Sequence, residues 1–338
     1  MNPSELEYKD AIFFSGHKFL GGPGSPGVLV IKSKWLRRNI VPVVPSGGTV
    51  IYVTDASQHY NTHVDEREEG GTPDTIGAIR LGLAFQVKQC VGTATIMDLE
   101  HANWMLAKTR LLAQPALVLL GSTEHARLPI VSFMVRYQDR FLHYNFVCAL
   151  LNDLFGIQSR GGCMCAAPYS HRLMGIAAKT NQEFAAAICQ GAAVLRPGYT
   201  RLSLPYFMSK LQVDYILAAV EFVAVNGWRF LPQYNFNQST GEWVHKRGVT
   251  SSPECLQDLQ LNSPTPSTTR SDYTLLLDQA ATLAQTSQVH LAPLQMAPLP
   301  TPIEHLRWFV YPWEAVQDLL NIRSMVVLRP LRCPVLPK

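Results

Sequence analysis

Residues 21–27 read GGPGSPG, all glycine or proline but for one serine. Proline withholds a backbone donor and fixes φ, and glycine opens positive φ, so neither helix nor strand crosses this stretch. The flanking runs, AIFF at 11–14 and VLVIK at 28–32, are β-branched or aromatic and read as two strands joined by a loop. Between the first run and the loop stands SGHK, which puts Ser15, His17 and Lys18 within four residues. A catalytic lysine needs rigid placement and an anionic group needs hydroxyls, backbone N–H groups or a histidine nearby. Taken alone, this spacing fits a solvated surface turn better, and the glycines fit a tight hairpin as well as a backbone approach to a ligand.

The chain has 338 residues, 47% of them hydrophobic, enough for two domains or one large α/β unit. Its 29 basic and 25 acidic side chains leave +4, too little and too scattered for a nucleic-acid footprint, while a small phosphate-bearing ligand stays compatible. Seven cysteines form an odd set without the spacing of a secreted disulfide framework, which points to a reducing compartment. The opening MNPSELEYKD lacks the pattern of a secretory or transit leader, and no apolar run spans a bilayer, so a cytoplasmic protein without a membrane role is expected.

From Thr75 to about Ala113 apolar residues recur at three and four, with Pro73 just before the start, and predict a helical passage. Past Pro115, ALVLLGS and PIVSFMVRY predict two strands, followed by a helix from His143 to Phe155 that stops at Gly156. The loop QSRGGCMCAAPY, a helix around 183–195, the strand TRLSLPY and a helix over 213–225 complete a small α+β unit. A hairpin turned at STG follows Trp228; residues 246–302 read as a Pro/Ser-rich linker with a short helix near 273–285, and PWEAVQDLLNI predicts a last helix. The expected divisions are 1–113, 114–245 and 246–338.

Four segments, SGHKFLGGPGSPGVLVIK, REEGGTPDTIGAIRLGLAF, QSRGGCMCAAPYSHRLMGI and RPGYTRLSLPYF, occur in an order that resembles the class-V aminotransferase family of pyridoxal-phosphate enzymes, which includes the cysteine desulfurases. The likeness covers residues 8–245. It implies an α/β protein of the fold-type-I transferase kind: an incomplete large domain with a mixed or parallel sheet, and a smaller C-terminal α+β domain. It implies pyridoxal 5′-phosphate as cofactor, held as a Schiff base by Lys18, with Ser15 and His17 on its phosphate. Thr72, in GGTP, would reach the cofactor phosphate of a neighbouring subunit, which makes the expected assembly a homodimer with shared active sites. As a residue entering a helix, Thr72 also has an ordinary structural reading.

Arg201, in TRLSL, matches the arginine that grips a substrate carboxylate, a task suited to its planar fork; Arg160 matches a second basic position. Cys165, in RGGCMCA, stands where the desulfurases carry a persulfide, though a small buried cysteine is an equally good reading. Met164 precedes it where a proton-relaying histidine is sometimes found. The CxC pair lacks partners at zinc-like spacing, so no metal is expected, and the charged run from Asp65 to Glu69 reads as a solvated face. The aspartate for the pyridine nitrogen belongs upstream of the lysine in this family, and Asp10 does not match its position. The expectation is therefore an N-terminally truncated enzyme acting on a small amino acid, with a sulfur acceptor if it is a desulfurase. Its alternative is a non-catalytic remnant serving in dimerisation or interaction.

Overall fold

The computed structural model describes residues 8–36, 40–248, 272–286, 297–320 and 328–336. The chain divides into two compact units, Met1–Ile96 and Met97–Lys338. The division lies upstream of 113, inside a helix, because the later part of that helix buries Trp104, Ala107 and Leu111 in the second unit's core.

In the first unit β1 (Ala11–Ser15) and β2 (Gly27–Ile31) pair antiparallel, Phe13 facing Leu29 and Ser15 facing Gly27. A second antiparallel pair, β3 (Val50–Val53) and β4 (Gln58–Tyr60), carries an irregularity between Val50 and Tyr52. Then come α1 (Val64–Glu68), α2 (Thr75–Val91) and the start of α3 (Thr93–Leu112), whose residues from Met97 on belong to the second unit. The single helical passage anticipated from Thr75 is thus broken at Gly92, whose φ of +88° no helix accommodates. Asp74 starts α2 by accepting the Gly77 amide at 2.9 Å. The first hairpin is tied to α2 twice: in its glycine-proline loop the Pro23 carbonyl accepts from Arg80 at 2.8 Å, and Phe14 and Phe19 form a ring cluster with Phe85, centroids 5.2–6.1 Å apart.

The second unit contains β5 (Leu117–Leu119), β6 (Ile130–Tyr137), β7 (Arg140–Phe141), α4 (Tyr144–Phe155), β8 (Arg160–Gly162), α5 (Ala167–Leu173), α6 (Ala178–Cys189), β9 (Tyr199–Ser203), α7 (Lys210–Asn226), β10 (Tyr234–Phe236) and β11 (Trp243–His245). Its sheet runs β5-β6-β9-β8 with β7 beside β6, every pair antiparallel. Alternation along β6 and β9 places Val131, Phe133, Val135 and Leu202 on a buried face, which α4 and α7 cover. Ser132 and Arg201 lie on the opposite face. α4 ends at Gly156, φ +63°, as its sequence requires. The helix anticipated around 183–195 instead starts at Ala178 and ends at Cys189, because Gly191 at φ +98° turns the chain into a short 3-10 turn.

The chain is mixed α/β. Among the described residues every pair of strands is antiparallel, and the one parallel bridge joins Phe141 to Phe309. That bridge marks how the C-terminal part is used. Besides α8 (Tyr273–Thr286), α9 (Thr301–Glu304) and α10 (Pro312–Leu320), it supplies Leu306, Trp308, Phe309, Val310 and Tyr311 to the second unit's core. Trp308 Nε1 donates to the Leu195 carbonyl at 3.1 Å, and Val310 N donates to Phe141 O at 2.9 Å. The linker reading for 249–271 and 287–296 lies outside the described residues. No helix among the described residues is long and apolar enough to cross a membrane.

Candidate functional site

The sequence-predicted residues fall into two groups, one in each unit. Ser15 ends β1, and Gly16–Lys18 make a 3-10 turn closed by Phe19 N donating to Gly16 O at 3.0 Å. Gly16 is buried, and a Cβ there would stand 2.7 Å from Leu81 Cδ1 and 2.8 Å from Ser25 Oγ. A Cβ on Gly22 would come within 2.2 Å of the Gly16 carbonyl oxygen. The loop therefore folds backbone against backbone onto the SGHK turn, which only glycine permits. Ser15 is half-buried while His17 and Lys18 are exposed, and among the described residues no carboxylate pairs with Lys18. The turn is thus rigid below and open above.

Ser25 Oγ, buried beside Gly16, has no hydrogen-bond partner among the described residues. Asp10 is engaged elsewhere, 3.5 Å from Lys32 and 3.9 Å from Lys34. A hydrogen bond from Trp35, aided by those lysines, holds its carboxyl below the usual aspartate range. Thr72 is exposed between Gly71, φ +86°, and Pro73. Asp74 takes the helix-capping role, so the structural reading of Thr72 as a helix-entry residue is not used.

In the second unit β8 brings Arg160 directly opposite Arg201 on β9, and Ser132 on β6 lies opposite Arg201 on its other side. Partners directly opposite share a face, so Arg160, Arg201 and Ser132 form a row across the sheet. Arg160 Nη2 donates to Cys165 Sγ at 2.9 Å. Cys165 is exposed and sits in a tight turn: Ala166 N donates to Cys163 O at 3.0 Å, and Met164 and Cys165 have φ of +59° and +60°. Left-handed backbone at consecutive non-glycine residues costs about 1–2 kcal/mol each, a strain that collects at functional sites. An exposed thiol with a guanidinium on its sulfur is suited to nucleophilic work.

Residues that the sequence did not single out hold this loop in place. Ser170 Oγ donates to Cys163 O at 2.8 Å and lies 3.1 Å from the Tyr199 hydroxyl. Tyr144 presses on the glycines: a Cβ on Gly161 would lie 2.6 Å from its Cδ2, and one on Gly198 would lie 2.6 Å from its Cε1 and 2.7 Å from Gly162 Cα. The doubled glycine of RGG and the glycine of RPGY were the available signals. On the same sheet face a groove of about 390 Å³ is lined by Ser132, Tyr199, Tyr169, Leu173 and His125. Among the described residues no group of three or more His, Cys, Asp or Glu side chains could hold a metal ion.

His143, given no role from the sequence, is fully buried at the start of α4. Its Nδ1 accepts the Asn145 amide at 3.1 Å, which leaves Nε2–H to donate to Val194 O at 3.1 Å. Burial pushes its pKa down to about 3.

The family profile described as Aminotransferase class-V matches residues 3–216, most of the chain. The chain belongs to the class-V aminotransferase family. It is 32% identical over 170 residues to a cysteine desulfurase of Escherichia coli O127:H6 (strain E2348/69 / EPEC), which covers 49% of this chain and 39% of that relative. A cysteine desulfurase of Shigella flexneri is 31% identical over the same shares. The apo structure of the cysteine desulfurase from Thermococcus onnurineus NA1 superposes with a TM-score of 0.51 and 26% identity, over 64% of this chain and 47% of that one. This family member therefore spans less than half the length of the relatives it matches.

Proposed function

We propose that this class-V aminotransferase family member works as a cysteine desulfurase-type enzyme on a small amino acid, with Cys165 as the sulfur-accepting nucleophile. The observation that carries the reading is the 2.9 Å contact from Arg160 to Cys165 Sγ, made in register with Arg201. Arg160 donates to the Cys165 sulfur, and the strained turn presents that sulfur to solvent. Arg201 offers its planar fork to a substrate carboxylate. Cys165 then carries the accepted sulfur as a persulfide to an external acceptor.

The first unit fits pyridoxal 5′-phosphate at its lysine and phosphate ends. Ser25 Oγ, buried and without a partner among the described residues, the glycine-built turn and the open Lys18 are the features such a group would use. Lys18 would anchor it covalently, Ser15 and His17 would hold its phosphate, and Thr72 would serve the partner subunit's phosphate in a homodimer with shared sites. When bound, pyridoxal phosphate supplies an electron sink for bond cleavage at Cα. Lys18 Nζ would also serve as the base that takes a proton from Cα. Asp10, held by Lys32 and Lys34, is not available for the pyridine nitrogen. Six free cysteines among the described residues fit a reducing, cytoplasmic setting.

A second reading, a non-catalytic module for dimerisation or interaction, draws on the apolar face of the first hairpin, where Phe13 and Leu29 are 82% and 61% exposed. One experiment separates the two. The purified chain is mixed with pyridoxal phosphate, and its visible spectrum is recorded before and after borohydride reduction, beside Lys18→Ala. A band that reduction fixes and Lys18→Ala abolishes supports the enzyme. No Lys18-dependent band supports the module and sinks the enzyme reading.

A further inference from the structure

We infer that Cys163 is a resolving thiol for Cys165, so that sulfur carried on Cys165 leaves as hydrosulfide while a Cys163–Cys165 disulfide forms. The inference rests on the reading of Cys165 as sulfur carrier. The two cysteines occupy the first and third positions of one hydrogen-bonded turn, with Ala166 N on Cys163 O at 3.0 Å. Positive φ at Met164 and Cys165 is the signature of a type I′ turn, here built without glycine. Cα atoms two apart in such a turn lie within the roughly 7 Å that a disulfide can span. The turn is anchored from both sides: Ser170 Oγ donates to Cys163 O at 2.8 Å, and the Met164 side chain packs against the core. Cys165 is exposed and Cys163 half-buried, an arrangement in which the outer sulfur meets a donor first and the inner one follows.

The step balances without an added oxidant. The Cys163 thiolate attacks Sγ of Cys165, the Sγ–Sγ bond forms, and the bond from Cys165 Sγ to the carried sulfur breaks. The sulfane sulfur takes the electron pair and departs as hydrosulfide; the two cysteine sulfurs are oxidised to the disulfide. The proton lost by Cys163 goes to solvent, and hydrosulfide takes one up according to pH. Arg160 Nη2 holds Cys165 Sγ, the atom attacked, at 2.9 Å. An external dithiol returns the pair to its reduced state. Cys148 is a poor competitor, since burial raises its thiol pKa.

The test loads sulfur chemically and so does not depend on Lys18 or on any cofactor. The reduced full chain is treated anaerobically with inorganic polysulfide and freed of excess reagent. Released sulfide is then followed together with the tryptic peptide Gly161–Arg172. The expected result is sulfide release matched by the intramolecular disulfide in the native chain. In Cys163→Ser, the persulfide should persist on Cys165 and sulfide release should fall by about tenfold or more. A native persulfide as long-lived as that of Cys163→Ser would overturn the inference and leave the desulfurase reading standing. Sulfur found on no peptide containing Cys165 would overturn both.

Discussion

A histidine ring enclosed by Trp308 at 5.0 Å, Trp243 at 5.6 Å and Tyr144 at 4.4 Å can take up a proton only at the expense of the fold. The pKa of His143 falls from an ordinary 6.5 to about 3 because burial penalises the charged ring. Between those values the unfolded chain binds a proton that the folded chain does not, so stability falls as pH drops through the window and is intact above it. The slope from this group approaches about 1.4 kcal/mol per pH unit. Urea unfolding at pH 7 to 4 should show it, and His143→Asn, which keeps a helix-capping acceptor, should lose that component. At the same scale, Arg160→Gln should slow alkylation of Cys165 at pH 7 by roughly threefold to tenfold, with exposed Cys189 as the internal reference. The motifs exposed Lys18, Cys165 and Arg201 to a reader of the sequence, but nothing in the text around His143 separates a sealed capping ring from a solvated one. Its neighbours Trp243 and Trp308 are one hundred or more residues away.

At the scale of elements, periodicity and punctuation made β1, β2, β6, α4 and α7 legible, because each has an apolar face and a glycine, proline or cap at its end. β8 was not legible. Three residues, Arg160–Gly162, carry no alternation, and β8 exists because its glycines slide beneath Tyr144 and pair with β9. Gly161→Ala should therefore cost about 1–3 kcal/mol by overpacking, since the new Cβ would meet Tyr144 at 2.6 Å. Gly156→Ala, with open space around its Cβ but φ at +63°, should cost about 1–2 kcal/mol from backbone strain alone. Thermal unfolding of both variants separates them further: a larger residue at 161 should worsen the loss steeply, and one at 156 should not.

For the whole molecule, composition concealed the use of the C-terminal third. The linker reading stopped at 302, and between it and the last helix Leu306, Trp308, Phe309, Val310 and Tyr311 are buried, with Arg307 bridging Glu304 at 2.5 Å and Glu314 at 2.9 Å beside them. The run WFVYPW at 308–313, just past that stretch, was the sign of a packed segment. Each large side chain placed in that core contributes about 1.5–3 kcal/mol, against a net stability of about 5–15 kcal/mol for a whole domain. A chain ending at residue 296 should accordingly lose its near-ultraviolet circular dichroism and cooperative unfolding, and Trp308→Ala should cost about 3–5 kcal/mol.

The bridge from Phe141 to Phe309 has a consequence for how the protein is made. A ribosome delivers the strand around Phe141 long before the segment that seals it, so each nascent second unit must wait with an unfinished core. Translation speed and chaperone supply, rather than the sheet itself, then govern how much of this polypeptide reaches its native form.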